Sequence, residues 1–180
     1  FKRISVLNKW GRKDKKIIVT TIEAAMQKMI TKESLYKNVM KLKVGDTFNL
    51  EELKEKLVLL GYERYDLIEG KGQFSVRGGI VDIATSVNSG VRIEFWGDEI
   101  DSIRKFSIAS QRTVEMLEEI EIFPSYEFLL ETDVDTVCEK ILDKVYPKSV
   151  KEKVQDDVYQ IKNGEFLTKI DKYFDCFYEK

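Results

Sequence analysis

The feature that most constrains the fold is a change in the spacing of apolar residues along the chain. In the outer segments, apolar residues recur every three or four positions, as on one face of an α-helix. Between residues 62 and 123 they alternate with polar residues, and glycine-containing turns interrupt the run. Alternation gives a strand one dry face and one wet face. This segment therefore predicts an antiparallel β-meander of short strands.

One of these turns has two consecutive glycines. Gly78-Gly79 separates two alternating runs, and Gly97-Asp98 separates two later ones. A glycine pair inside a strand pattern is typical of a β-bulge or a tight bend. A partner that approaches the backbone closely is the alternative explanation.

The best-defined helix lies just before the meander. Asn49 is a favourable N-cap, and Glu52 follows it three residues later. Phe48 precedes the cap and is placed to pack on Leu53. Gly61 occupies the position at which helices commonly end in a left-handed residue.

Residues 1–44 have the pattern of an α/β unit. Ile17-Ile18-Val19 predicts a short buried strand, and Thr20 with Glu23 predicts the capping box of a helix that follows it. A second helix is predicted over 32–41, with Leu35 buried.

Helical spacing returns after Pro124. One helix is predicted over 133–146, and the capping box of Ser149 and Glu152 predicts the start of another. A final apolar stripe, from 167 to 177, has few obvious partners, and the chain starts at Phe1 instead of Met. We therefore expect a fragment of a longer protein. The predicted fold class is α+β: an antiparallel β-meander domain with packed helices, flanked by partial α/β segments.

The residue types present exclude several chemistries within this chain. It has no His, which excludes His metal ligands, Ser-His-Asp triads and Cys-His dyads. Neither a phosphate-binding GxxxxGK[ST] loop nor a dinucleotide-binding GxGxxG occurs. We interpret the carboxylates of Asp98, Glu99 and Asp101 as a solvated turn and not as a metal site. On these residues alone, binding is favoured over catalysis, and no cofactor is expected.

Two cysteines and the absence of long apolar runs bear on the cellular setting. Cys138 and Cys176 form no CxxC motif, and we interpret both as reduced structural thiols of a cytoplasmic protein, with a disulfide as the alternative. No apolar run approaches 18 residues, so we expect no membrane partner.

The net charge of −2 conceals a segregation of charge. Residues 1–44 hold 12 basic and 3 acidic residues, whereas residues 45–130 hold 9 basic and 17 acidic ones. The basic cluster Arg12, Lys13, Lys15 and Lys16 is a candidate contact for DNA phosphates. The alternative is a solvated loop.

The polar face of the predicted meander carries a second candidate site. Arg64, Arg77, Arg92 and Glu94 occupy polar positions between apolar residues, and Ser75 shares a face with Arg77. On neighbouring strands they form one patch, and guanidinium groups are suited to carboxylate recognition at an interface. The alternative is a solvated face with cross-strand ion pairs, such as Arg92 with Asp or Glu.

Two long motifs in this region resemble a known family. FSVRGGIVDI (residues 74–83) and VRIEFWGDEIDSIR (residues 91–104) resemble the amino-terminal UvrB-like module of bacterial transcription-repair coupling factors. The resemblance continues through 42–46 and 61–64 upstream and through 110–113 and 122–127 downstream. Residues 173–179 resemble the end of that module.

The resemblance implies a role in nucleotide-excision repair. The family is one of multidomain ATP-driven DNA translocases that release RNA polymerase stalled at lesions and recruit UvrA. ATP and Mg²⁺, RNA polymerase and double-stranded DNA are bound by other domains of such proteins. The resemblance therefore implies that this segment recruits UvrA and is not itself an enzyme.

The resemblance also implies a set of site residues and a domain organisation. Arg64, Arg77, Arg92 and Glu94 match positions at which UvrB docks on UvrA, and Ser75 departs, because UvrB tends to have Arg there. Residues 1–44 are expected to end a degenerate helicase-like α/β domain, 45–127 to form the UvrA-docking domain, and 128–180 to return to the first domain. In the family, a distant carboxy-terminal domain covers the docking face.

Overall fold

The computed structural model describes residues 2–10, 15, 17–127, 133–163, 167 and 170–178. The helices are α1 (Lys2–Trp10), α2 (Ile22–Met26), α3 (Lys32–Lys37), α4 (Leu50–Leu59), α5 (Val134–Leu142), α6 (Lys148–Lys162), a 3-10 helix (Ile170–Tyr173) and α7 (Phe174–Phe177). The strands are β1 (Met40–Lys43), β2 (Glu63–Arg64), β3 (Gln73–Arg77), β4 (Ile80–Ile83), β5 (Ser89–Trp96), β6 (Glu99–Ser107), β7 (Thr113–Leu117) and β8 (Glu119–Ile122).

The chain divides into two compact units. One lies within residues 1–16 and 31–127, and the other within 17–30 and 128–180. The division at 127/128 coincides with a predicted domain boundary. The divisions at 16/17 and 30/31 differ from the other predicted boundary, at 44/45. The predicted assignment of three segments to two domains stays a prediction.

The first unit contains the predicted meander. Its six-stranded sheet has the order β2-β3-β4-β5-β6-β7, antiparallel except for the parallel pair β2-β3. Gly78 has φ +58° in the two-residue turn between β3 and β4, which confirms the predicted tight bend. The α+β fold class is confirmed.

Helix α4 packs against one face of this sheet. Its N-cap is Asn49, as predicted, whose side chain accepts hydrogen bonds from the backbone of Glu51 and Glu52. Leu53 and Leu57 are fully buried in a core with residues of β3 to β6, including Val81 and Ile93. Because strand side chains alternate, the residues between these apolar positions lie on the opposite face of the sheet.

A separate two-stranded sheet contributes to the same core. Strands β1 and β8 pair antiparallel, with Leu42 opposite Ile120, and Leu42 and Ile122 are buried against α4 and the large sheet. Gly61, with φ +80°, ends α4 next to this segment. There the Tyr62 hydroxyl donates to the carbonyl of Phe123 over 3.0 Å, and burial raises the pKa of Tyr62.

Several predictions for residues 1–44 are wrong. Ile17, Ile18 and Val19 form no strand and are 94%, 52% and 92% exposed. A strand needs a partner for its backbone groups, and no described strand pairs with this segment. Helix α2 is only five residues long, and its N-cap is Thr21 instead of Thr20, because the Thr21 hydroxyl accepts from the Ala24 amide.

The differences from prediction that lie in the first unit concern long-range pairing and one additional helix. The helix predicted over 32–41 ends at Lys37, and Met40–Lys43 is a strand that pairs with β8. The strand predicted near 120–123 therefore does not extend the meander, and β7 is its last strand. Helix α1, which buries Ile4 and Leu7, was not predicted from its mixed basic sequence.

The second unit is helical around a small apolar core. Val137, Ile141, Val154 and Val158 are buried between α5 and α6. Helix α5 ends at Leu142 and leaves Val145 exposed, so the predicted extent to 146 is wrong. Helix α6 begins after Pro147, so the predicted capping role of Ser149 is also wrong.

Both cysteines and one buried carboxylate belong to this second unit. Cys138 and Cys176 are free and buried, so the predicted reduced thiols are confirmed and the disulfide alternative is excluded. Asp157 accepts hydrogen bonds from the Tyr173 hydroxyl at 2.7 Å and from Lys172. Burial raises the pKa of Asp157, but these two hydrogen bonds and the positive charges of Lys172 and Lys153 together lower it below its ordinary value.

Within the described part of the chain, none of the helices has the length and apolar character needed to cross a membrane.

Two glycines with positive φ allow a test of packing at the end of α4. Gly45 (φ +87°) has open space where a Cβ would lie, whereas a Cβ on Gly61 (φ +80°) would lie 2.7 Å from the Cβ of Tyr126. Gly45→Ala should lower the free energy of unfolding by about 1–2 kcal/mol, the cost of a left-handed L-residue. Gly61→Ala should lower it by more, because an overlap is added. Urea unfolding followed by circular dichroism measures both, and equal losses would contradict the contact with Tyr126.

Candidate functional site

The face of the six-stranded sheet opposite α4, called here the polar face, carries two central rows of side chains. Cross-strand register defines the rows. The first row holds Ser75, Asp82, Arg92, Arg104 and Met116. The second holds Arg77, Ile80, Glu94 and Ser102. The two rows bring seven charged or hydroxyl residues of the two long motifs together on four adjacent strands, β3 to β6.

Asp82 lies at the centre of the polar face and is 1% exposed. Arg92 donates to both of its carboxylate oxygens, from Nε to Oδ1 at 2.6 Å and from Nη2 to Oδ2 at 2.8 Å. Arg77 donates from Nη2 to Oδ2 at 2.8 Å. Charge-assisted bonds of this kind are among the stronger hydrogen bonds in proteins. One buried carboxylate therefore binds two guanidinium groups.

Arg92 is held by more than the carboxylate. Its guanidinium carbon lies 4.8 Å from the centre of the Phe106 ring, within cation–π range. Its Nη2 also donates to Gln111 Oε1 at 3.3 Å, and Gln111 Nε2 donates to the carbonyl of Ile108 at 3.0 Å. The hydrogen bonds to Asp82 raise the pKa of Arg92. These contacts fix its orientation from several sides.

Phe106 belongs to a small second apolar cluster on the polar face. It is buried with Ile68 and Ala84, and Ile108 packs against them. A Cβ on Gly90 would lie 2.8 Å from the Phe106 ring. Because glycine has no Cβ, the ring can pack directly against the backbone of β5. The surface on which Arg92 rests is therefore part of the packed structure.

Arg77 is more accessible than Arg92. Half of its side-chain surface is exposed, compared with 21% for Arg92. Among the residues that the structure describes, it donates only from Nη2, to Asp82. Its remaining donors are therefore available to a partner.

Glu94 and Arg104 form a second ion pair on the polar face. Arg104 Nη2 contacts Glu94 Oε2, and the Ser102 hydroxyl donates to the same oxygen at 3.0 Å. The hydrogen bond from Arg104, more than any other cause, lowers the pKa of Glu94. Both side chains are partly exposed, so the pair can exchange partners at an interface.

The structure brings together three of the five predicted site residues as exposed or partly exposed groups: Arg77, Arg92 and Glu94. Ser75 lies in the first row but is buried, and its hydroxyl has no hydrogen-bond partner among the described residues. Arg64 is exposed on β2, in register with the core residue Phe74 and not with Ser75. The predicted grouping of Arg64 with the others is wrong, and the third arginine of the patch is Arg104.

The cross-strand ion pairs that formed the alternative interpretation are present as well. Arg92 pairs with Asp82, and Arg104 pairs with Glu94. Neither Asp82 nor Arg104 was predicted as a site residue. Both occupy polar positions in alternating runs, so alternation marks their face, but only the register shows which residues they meet.

Large apolar side chains border the charged rows. Trp96 is 83% exposed and pairs in register with Glu99, beyond Glu94 on the same strand. Met116 ends the first row on β7 and is also largely exposed. Aromatic residues, Met and Arg are the types enriched at protein interfaces.

The structure does not define a binding site at the basic cluster of residues 12–16. Arg12, Lys13 and Lys16 lie outside the described residues, and Lys15 is exposed. The possible DNA contact stays a prediction. No group of three or more His, Cys, Asp or Glu in the described ranges is placed to hold a metal ion.

Comparison with known proteins identifies relatives along most of the chain and a family model that matches its centre. Residues 40–128 match the family model of the UvrB interaction domain. The transcription-repair-coupling factor of Bacillus subtilis is 33% identical over 99% of this chain. Those of Myxococcus xanthus and of Staphylococcus aureus strain Mu50 are each 32% identical, over 78% and 73% of the chain. The chain spans 16%, 12% and 11% of the length of these three relatives.

The ion pair of Glu94 predicts a pH dependence of stability. The pKa of Glu94 is lower in the folded state than its ordinary value of 4.5. The ionised Glu94 therefore makes its full contribution to the free energy of unfolding above pH 4.5, and this contribution is lost as the pH falls through the lower folded pKa. Glu94→Gln should therefore lose less stability than the wild type on acidification from about pH 6 to about pH 3. Urea unfolding at each pH measures this, with the exposed Glu115→Gln as control. An identical acid loss in the wild type and Glu94→Gln would contradict the pairing.

Proposed function

Because residues 40–128 belong to the UvrB interaction domain family, we propose that this chain is a docking module that recruits UvrA in transcription-coupled nucleotide-excision repair. Its relatives along most of its length are transcription-repair-coupling factors, which supports the connection to transcription. The module binds its partner through the polar face of the six-stranded sheet.

The observation that carries this proposal is the pair of arginines held on one buried carboxylate. Arg77 and Arg92 are ordered by Asp82 and remain partly exposed. An arginine that is already ordered loses less conformational freedom when a partner binds. Arg and Trp are also among the residue types that most often dominate binding energy. Trp96 is 83% exposed and follows Phe95, which packs on the core, so strand alternation places Trp96 on the side of the polar face.

The proposed contacts follow from accessibility. Arg77, Arg92 and Glu94 form the centre of the proposed footprint, and Arg77 binds carboxylates of the partner. Arg104 offers a further guanidinium once Glu94 turns to a basic partner residue. Ser75 lies beneath the surface and supports it. Arg64, exposed on β2 outside the two rows, is a peripheral contact.

The proposal assigns recruitment and not catalysis to this chain. The charged groups of the polar face are paired with one another in a way that suits recognition. Binding of ATP with Mg²⁺, of RNA polymerase and of double-stranded DNA is proposed to belong to other parts of such a longer protein, because this chain spans only 11–16% of the length of its relatives.

Charge reversal on the polar face tests the proposal. Arg77→Glu and Arg92→Glu should each weaken UvrA binding by about 2 kcal/mol or more, about 30-fold, because each removes one side of an interfacial charge pair. Calorimetric titration of UvrA with each variant measures this, after circular dichroism has shown the fold to be intact. Lys43→Glu, an equal charge change on the separate two-stranded sheet, is the control.

The position of Arg64 predicts a graded result. As a peripheral contact, Arg64→Glu should cost clearly less affinity than Arg77→Glu in the same titration. Unchanged binding of both Arg77→Glu and Arg92→Glu would refute the proposed function. A loss at Lys43→Glu as large as theirs would show that net charge, and not this face, controls binding.

A further inference from the structure

We propose that Asp82 is a positioning residue of the polar face: its buried carboxylate holds Arg77 and Arg92 in the orientation in which they meet the partner. Asp82 itself is 1% exposed and does not touch the partner. This inference rests on the proposed function and adds to it a residue that acts only through two others.

The geometry places Asp82 where one group can act on both arginines. Asp82 lies on β4, between the strands that carry Arg77 and Arg92. It is directly opposite Arg92 in register, and Arg77 reaches it from the neighbouring row. Its Oδ2 accepts from Nη2 of both arginines, and its Oδ1 accepts from Arg92 Nε. Within the described chain, no other side chain accepts hydrogen bonds from both guanidinium groups.

The arrangement persists when no partner is bound. A buried carboxylate is strongly unfavourable unless it is paired and hydrogen-bonded. Releasing both arginines would leave Asp82 buried without a countercharge, so the free module keeps them in place. The ordering of two long side chains is then completed during folding and adds no cost to binding.

The other contacts of Arg92 supply a matched comparison. Gln111 contacts Arg92 and not Arg77, and it has φ +55°, the left-handed region that is uncommon for residues other than glycine. The hydrogen bond that Arg92 donates to Gln111, at 3.3 Å, is longer than the two it donates to Asp82, at 2.6 and 2.8 Å. Gln111→Ala therefore removes a weaker restraint from one arginine, whereas a change of Asp82 releases both.

Positioning and simple electrostatics predict opposite effects of neutralising Asp82. Removing a negative charge makes the face more positive, which should speed association with an acidic partner and tighten binding. If Asp82 positions the arginines, affinity should fall, because the arginines must be ordered again on binding. That loss should lie in the dissociation rate, where affinity changes among variants of one interface usually lie.

The experiment measures association and dissociation rates of UvrA with the wild-type chain and with Asp82→Asn, which keeps the shape of the side chain. We expect a loss of affinity of about tenfold, from faster dissociation, with association unchanged or faster, and a smaller loss for Gln111→Ala. Binding by Asp82→Asn that is as tight as the wild type, or tighter, would overturn the inference. Unfolding in urea shows whether each variant is folded at the assay temperature.

A double-variant cycle separates positioning from a general structural effect. In an Arg77→Ala/Arg92→Ala background, Asp82→Asn should cause no further loss of affinity, because it has no arginine left to orient. A loss in that background equal to the loss in the wild type would overturn the positioning role.

A partner-free measurement distinguishes failure of this inference from failure of the proposed function. The Arg92 Nε–Hε resonance of the isolated chain should show a rigid group in the wild type and a mobile one in Asp82→Asn. If the wild type does not bind UvrA, the proposed function fails whatever this resonance shows. If the resonance is equally rigid in both proteins, the positioning role fails whatever the affinity for UvrA.

Discussion

A carboxylate buried on an otherwise accessible sheet face must be neutralised where it lies, and this requirement organises the polar face. Asp82 cannot reach bulk water, so Arg77 and Arg92 close over it from the two neighbouring strands. Arg92 in turn needs a surface to rest on, which Phe106 provides, and a further acceptor, which Gln111 provides. The arginines are therefore ordered by the fold, and their orientation is in place before a partner arrives.

The alternation of strand side chains lets one sheet perform two tasks. Its apolar residues pack with α4, Leu42 and Ile122 into a core that holds the strands in register. The intervening residues are then free to vary in chemistry, and in this chain they carry ion pairs, an exposed Trp96 and an exposed Met116. The rigidity needed for recognition comes from one face and the recognising groups from the other. This separation is typical of a binding module whose surface is partly charged.

The sequence predicted the two faces of the sheet but not the pairs that form across it. Alternation depends on local geometry, so Arg77, Arg92 and Glu94 were placed on the correct face. Alternation cannot be followed through the irregular segment 65–72, so the sequence does not show on which face of the sheet Arg64 lies relative to Arg77. Arg64 was therefore grouped with the polar face, although its register partner is the core residue Phe74. Asp82 was not predicted as a site residue because its role depends on hydrogen bonds to arginines on the two neighbouring strands, and strand register cannot be predicted from the sequence alone. Ile17–Val19 has strand propensity, yet no described strand pairs with it. Propensity is a local property, and it does not show whether a partner strand is present.

The central claim, that UvrA binds the polar face, is tested most directly by oxidative footprinting of the complex. Trp96 and Met116 are exposed at the border of the charged rows, whereas Met26 and Tyr159 are comparably exposed in the other compact unit. All four side chains react readily with hydroxyl radicals in the free chain. The account predicts that UvrA protects Trp96 and Met116 and leaves Met26 and Tyr159 reactive. Full reactivity of Trp96 and Met116 in a saturated complex would contradict it.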